Sequence, residues 1–241
     1  MEREFLEFDS IDSTNKYLKE HYKELHSEAT CSALFQTQGR GRYDRSFVAN
    51  KGDGATFSIL LKDEFCFKNF ELLSLMAGAV VCSYLENMGF KSSIKWPNDV
   101  YIGDKKVCGI LLESVSLDKL VALIVGIGLN VNQQSFPSEL PDATSMFMNC
   151  KIELDVRMIT HQIVNLFFEC LNAFKRGDNS FIEYVKKHNY LKNKEVFARV
   201  FDKDEILFVE DISELGYLIC KEKEGTIKEL KSGEVTFHKN K

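Results

Sequence analysis

The rhythm of apolar and polar positions divides the chain into two parts. From Asp12 or Ser13 a helix is predicted with Tyr17, Leu18, Tyr22 and Leu25 on one face, and the apolar run TCSALF after it reads as a buried strand. ATFSILL (55–61) predicts a second strand. FELLSLMAGAVVCSYLENMGF (70–90) is apolar nearly all round, so it is a long helix that must lie against a sheet, and Gly89 can end it. SSIKW, VYI, KVCGILLESVSL and KLVALIVGIGL then give a run of strands. Gly103-Asp104 fits a two-residue hairpin turn between VYI and KKV, which implies antiparallel pairing there. A helix from about Val156 to Phe174 carries Ile159, Ile163, Leu166, Phe167 and Leu171 at core-facing spacing, and FIEYVKKH adds a shorter helical piece.

After His188 the pattern shifts to short alternating runs, EVFARVF, EILFVEDI, GYLIC, TIKEL and EVTF, broken by Asp202-Lys203-Asp204, Gly216, Gly225 and Gly233. These predict a small all-β unit of about 50 residues, of the barrel type. The division therefore falls at residues 1–188 and 189–241, and the first part mixes helices with a largely antiparallel sheet, an α+β architecture.

Composition narrows the range of functions. With 241 residues, 44% of them apolar, the chain can bury a sizeable core. Its 31 basic and 36 acidic side chains leave a net charge of −5, which argues against a protein built to coat nucleic acid or an anionic membrane, so any positive site is local. Cys31, Cys66, Cys82, Cys108, Cys150, Cys170 and Cys220 form no C-x-x-C pair and sit mostly in apolar runs, the pattern of reduced, buried thiols. The start MEREFLEFDSIDSTN has no basic region followed by an apolar one, and no run is long enough to span a membrane; a soluble, cytoplasmic protein is the expectation.

Four stretches carry candidate chemistry. QTQGRGRYDRSF (36–47) places Gly39 and Gly41 among Arg40, Arg42 and Arg45, a pliable backbone with forked donors for carboxylate or phosphate. It lacks the G-K-[ST] ending of a Walker loop, and no G-x-G-x-x-G occurs. IKWPNDVYIGDKKVCGILLES (94–114) sets Asn98 and Asp99 after Trp96-Pro97, and the hairpin that follows opens a strand with Lys105 and Lys106. One of these lysines must face the same side as Asp99 if the pairing is regular, whereas a solvated edge lysine is the alternative. In VGIGLNVNQ (125–133), Asn130 can either read a heterocycle edge or end the strand. In DSTN (12–15), Ser13, Thr14 and Asn15 suit both a helix cap and an uncharged polar ligand such as a urea or amide.

Taken in order, DSTN, QTQGRGRYDRSF, KWPNDV, KKVCGILLE, GIGLNVN and SGEVTF make the sequence resemble the biotin protein ligases, from about residue 8 to residue 238. The resemblance implies a catalytic domain like that of class II aminoacyl-tRNA synthetases, with a mixed, largely antiparallel sheet, followed by a small SH3-like β-barrel. It implies a two-step reaction: biotin and MgATP give biotinoyl-5′-AMP and pyrophosphate, then a lysine of a biotin carboxyl carrier domain takes the biotin. It further implies that Ser13, Thr14, Asn15 and Gln36 hold the biotin head group, with Gly39, Arg40, Gly41 and Arg42 folding over the valerate and adenylate. Lys106, beside Gly109, would reach the reacting carboxylate and α-phosphate, with Asn130 at the adenine. Lys95, Asn98 and Asp99 would line the nucleotide side, Asp99 either orienting Lys106 or helping to hold Mg2+.

Where the family's loop continues with glycine, arginine and, two residues on, tryptophan, this chain has Asp44, Arg45 and Phe47. The chain begins almost at DSTN, so catalysis without DNA binding, by a monomer or weak homodimer, is the expectation. A lipoate or octanoate ligase or transferase of related fold is the alternative within enzymes, and a biotin-binding regulator without catalysis is the alternative outside them.

Overall fold

A computed structural model describes residues 3–41, 47, 49–201 and 203–237. In chain order the first part contains β1 (Phe5–Phe8), α1 (Thr14–His21), β2 (Thr30–Ala33), β3 (Gly54–Leu61), α2 (Glu64–Lys68), α3 (Phe70–Asn87), β4 (Ser92–Lys95), β5 (Asp99–Ile102), β6 (Lys105–Ser116), β7 (Leu120–Asn130), α4 (Met146–Cys150), α5 (Val156–Lys175) and α6 (Ser180–Lys187). The second contains β8 (Glu195–Val200), β9 (Lys203–Ile212), β10 (Leu218–Lys221), β11 (Ile227–Leu230) and β12 (Val235–Phe237).

Strands β1 to β7 form one sheet in the order β1-β2-β3-β7-β6-β5-β4. Every described pairing in it is antiparallel except β1 with β2. The expected hairpin is present: Ile102 pairs with Lys105 across Gly103, whose positive φ of 58° a two-residue turn of this kind requires. Strands β8 to β12 form a second, five-stranded antiparallel sheet with β11 and β12 at its ends. Among the described residues no helix is long and apolar enough to cross a membrane.

The first sheet is covered unequally. Helix α3 is buried on nearly all sides because it lies between the sheet and helices α5 and α6. Ala55, Phe57 and Ile59 of β3, Val125, Ile127 and Leu129 of β7 and Ile110 of β6 meet it in the main core. Strand geometry sends the alternate residues to the opposite face. There α1 seals one end, Leu18 packing with Cys31, Leu60, Ala122 and Ile124. Beyond α1 that face carries Thr56, Ser58, Gly109, Glu113, Gly126 and Gly128, a polar and glycine-rich surface with no covering helix among the described residues.

Some elements differ from expectation. Helix α1 ends at His21, so Tyr22 and Leu25 pack from the turn after it. The strand β1 and the one-turn helices α2 and α4 have no counterpart in the sequence pattern, being four or five residues long. The two sheets meet at Trp96, whose indole Nε1 donates to Gly216 O at 2.9 Å and whose ring meets Phe237 edge-on.

Candidate active site

Helix α1 starts where the DSTN motif predicts a cap: Ser13 is extended and its Oγ accepts from Lys16 N at 3.4 Å. Segment 36–38 runs alongside 11–12, with Thr37 N donating to Ile11 O at 2.9 Å and Gln38 N to Asp12 O at 2.8 Å. This pairing brings Gln36 to the helix start, where its Oε1 accepts from Thr14 N at 2.8 Å and lies 3.1 Å from Thr14 Oγ1. Thr14 Oγ1 is 2.6 Å from Ser58 Oγ, and Ser58 Oγ is 2.5 Å from Asn15 Oδ1. Asn15 Nδ2 in turn donates to Glu113 Oε2 at 2.8 Å. Ser13, Thr14, Asn15 and Ser58 are all buried.

This relay has fewer protons than contacts. Thr14 N needs an acceptor, so Gln36 presents oxygen, and the ionised Glu113 needs a donor, so Asn15 presents nitrogen to it and oxygen to Ser58. Three close contacts then depend on two hydroxyl protons, one from Thr14 and one from Ser58. Thr14 Oγ1, Ser58 Oγ and Asn15 Oδ1 keep further lone pairs that can accept from a ligand N–H.

Two residues along the sheet the chemistry becomes cationic. Lys106 lies inside the sheet, between Tyr101 of β5 on one side and segment 142–144 on the other: Lys106 N donates to Asp142 O at 2.7 Å and Thr144 N to Lys106 O at 2.8 Å. Lys106, not Lys105, is thus the lysine on the Asp99 side, and its Nζ is 2.6 Å from Asp99 Oδ1 with 41% of the side chain exposed. Among the described residues that oxygen has no aligned hydrogen bond, so the pair is held by charge. Arg40, half exposed, reaches from the loop to within 3.7 Å of Glu113 Oε1. Gly41 follows it, and Arg42, Asp44 and Arg45 lie outside the described residues.

Glycines make the floor. Gly109 of β6 pairs with Gly128 of β7, and Gly126 lies two residues farther along β7. A Cβ at Gly109 would sit 3.1 Å from Lys106 Nζ, one at Gly126 would strike the Asn15 amide, and one at Gly128 would be 2.7 Å from the Phe47 ring. A Cβ at Gly39 would collide with Phe47 O, and Phe47 N donates to Gly39 O at 3.0 Å. Phe47 thus lies against the glycine floor. A cavity of about 410 Å³ lies between the start of α3, Trp96-Pro97 and Gly216, lined by Ile110, Leu112 and Leu123 from the α3 face of the sheet, with Glu113 at its edge.

The remaining predicted residues lie around this core. Lys95 pairs with Asp99 across β4 and β5 and its Nζ donates to Tyr101 Oη at 3.1 Å. Asn98 donates to Ile110 O at 2.9 Å and so holds β6 where β5 diverges from it. Asn130 donates to Thr144 O at 3.0 Å and accepts from Gln133 Nε2 at 3.1 Å, tying the end of β7 to the 133–145 loop. The sequence pattern does not single out Glu113 and Ser58. Both stand in apolar strand runs, and only the antiparallel register of β3, β7 and β6 carries them to Asn15. Burial by itself would raise the carboxyl pKa of Glu113, but hydrogen bonds from Asn15 and Lys19 outweigh it and hold the group below its ordinary range.

A family model described as the biotin/lipoate A/B protein ligase family matches residues 7–130, the segment that holds both the relay and the lysine. The chain belongs to that family. Its likenesses are more particular. A bifunctional ligase/repressor BirA of Bacillus spizizenii is 37% identical over 165 residues, 66% of this chain and 51% of its own, so the chain spans about half the length of that relative. The BirA of Salmonella typhimurium is 29% identical over 231 residues, 94% of this chain and 72% of its own. A biotin protein ligase from Aquifex aeolicus, in complex with biotin and ATP, superposes with a TM-score of 0.87 at 32% identity, covering 98% of this chain and 99% of that one.

Proposed function

We propose that the chain activates biotin with ATP to biotinoyl-5′-AMP and transfers the biotin to a lysine of a biotin carboxyl carrier domain. The observation that carries this reading is the polarity of one sheet face. A hydrogen-bond relay of the uncharged Gln36, Thr14, Ser58 and Asn15 stands over Gly126, an ammonium stands over Gly109, and Gly126 and the Gly128 that pairs with Gly109 are roughly 7 Å apart along β7. A ligand that fits has an uncharged head with N–H groups, a short aliphatic arm and a terminal acid. Biotin has this order of parts. A lipoyl or octanoyl chain offers no N–H to these acceptors and gains nothing from them.

In this reading the ureido N–H groups bind Asn15 Oδ1 and the hydroxyls of Thr14 and Ser58, and Ser13 keeps its own hydroxyl proton for the ureido oxygen. Gln36 holds the helix start, while Gly39, Arg40, Gly41 and Arg42 close over the acyl arm and the phosphate. The carboxylate attacks the α-phosphorus, and pyrophosphate leaves with the bonding pair. Both reactants are anions, so the step needs positioning and charge neutralisation and no general base. Lys106 supplies the charge at the junction. Asp99, 2.6 Å from its ammonium, orients it, a role the ion pair supports. Mg2+ enters with the nucleotide's phosphates as part of the substrate; among the described residues no cluster of three or more His, Cys, Asp or Glu side chains is placed to hold a metal. Lys95, Asn98 and Asn130 frame the nucleotide side. Residues 1–188 carry both sites, and 189–241 form the appended β unit. The mixed anhydride is open to hydrolysis, and Phe47 on the glycine floor helps to keep water from it until the acceptor lysine arrives.

Incubation with biotin, MgATP and a biotin carboxyl carrier domain tests the proposal by mass spectrometry of the carrier. A mass gain on one lysine that requires both biotin and ATP is expected. No gain, or a gain with lipoate that outcompetes biotin, rejects it.

A further inference from the structure

An asparagine amide offers an acceptor at one end and donors at the other, so its value to a ligand depends on which end faces the pocket. The carboxamide of Asn15 lies between Ser58 Oγ, 2.5 Å from Oδ1, and Glu113 Oε2, 2.8 Å from Nδ2. A serine hydroxyl satisfies either end and therefore cannot choose. An ionised carboxylate only accepts, and therefore does choose. Lys19 Nζ, 3.0 Å from Glu113 Oε1, and Arg40 Nη1, 3.7 Å from the same oxygen, keep that carboxylate charged. Its pKa is held below the ordinary range, burial being outweighed by the bonds from Asn15 and Lys19. Gly126 completes the seat, since a side chain there would occupy the place of Asn15 Oδ1.

We propose that Glu113 is a positioning residue for the acyl substrate: it fixes the amide of Asn15 with Oδ1 towards the pocket, so that Asn15 accepts from a ligand N–H. The identity of that N–H as biotin's rests on the reading above; the orientation itself rests on the contacts of Glu113. A carboxylate that pinned α1 to β6 through Lys19 alone would leave the sense of the Asn15 amide free, and this separates the two roles.

The test is E113Q, which keeps the shape of the side chain. The introduced glutamine amide must turn its carbonyl to the Lys19 ammonium, so its NH2 faces Asn15, and Asn15 flips to present Nδ2 to the pocket. Calorimetric titration should then show the Kd for biotin rising about 10- to 100-fold, while the KM for ATP stays within about twofold. The double variant E113Q/N15D keeps the total charge and restores the sense, because the carboxylate introduced on α1 accepts both from the new glutamine amide and from the ligand. It should recover biotin affinity to within about fivefold of the native chain, whereas N15D alone, with two carboxylates in contact, should bind worse than the double variant. Melting temperatures are read alongside, and if E113Q alone fails to fold, the comparison of N15D with the double variant decides by the same criterion. An E113Q chain that binds biotin within about twofold of native, or a folded double variant no better than the single ones, overturns the proposal. A native chain with no biotin affinity overturns both this proposal and the substrate reading beneath it, while tight native binding with an indifferent E113Q overturns this one alone.

Discussion

Each of three glycines on two neighbouring strands leaves room for one particular side chain: Lys106 over Gly109, Asn15 over Gly126 and Phe47 over Gly128. The floor is thus shaped by absent Cβ atoms as much as by the residues present. Gly109→Ala puts a methyl 3.1 Å from the flexible end of Lys106, which can move aside but not stay in place. Its expected effect is a fall in the rate of biotin adenylation of about tenfold, since small misplacement of a reacting group is costly, with the melting temperature nearly unchanged. Rate and melting curve measured on the same sample check this; an unaltered rate would mean that the position of the ammonium does not matter. At this scale the sequence is readable where the chain is local. Lys106 and Asp99 are joined by a seven-residue excursion through a hairpin whose Gly103 turn sets the register. Glu113 and Ser58 are not readable, because they lie 98 and 43 residues from Asn15 and nothing in their own strands marks them as polar anchors.

Between elements, the junction of the two sheets rests on Trp96. Its ring is buried, its Nε1 donates to Gly216 O at 2.9 Å, and Gly216, with φ of 81°, packs so closely on Leu72 of α3 that a Cβ would lie 2.9 Å from it. Trp96→Phe removes the donor and leaves both a void and an unpaired carbonyl, for an expected loss of about 2 kcal/mol of stability. Urea denaturation measures it, and biotin affinity should not change, because the relay lies on the other face of the first sheet. A loss of biotin binding larger than the loss of stability would place Trp96 in the site instead. The long elements are readable from periodicity alone, α3 from its all-round apolar surface and α5 from its stripe of Ile159, Ile163, Phe167 and Leu171. Strand β1 is not, since four residues at the edge of a sheet, paired in parallel with β2, carry too short a pattern to stand out. The docking of segment 36–38 beside the helix start is likewise hidden, because its pairing with 11–12 is made by backbone atoms, which no side-chain pattern reports.

At the scale of the molecule, a chain with a net charge of −5 sets two cations of unlike origin on one sheet face, a loop arginine beside Glu113 and a strand lysine beside Asp99. The seven cysteines are all free and five of them buried, with burial pushing the thiols of Cys31, Cys108 and Cys220 up to about 12, so they serve packing and stay out of the chemistry. What remains is a sheet face with uncharged hydrogen-bonding side chains at one end and an ammonium at the other, the arrangement needed to hold an uncharged ring while its distant carboxylate is brought against a phosphate. Biotin-dependent exchange of labelled pyrophosphate into ATP reports on that step alone, before any carrier takes part. The native chain should catalyse exchange only when biotin is added, and Lys106→Ala, still folded, should slow it about 100-fold, the loss of one positive donor at a developing charge. Exchange that proceeds without biotin, or that Lys106→Ala leaves intact, would contradict the account.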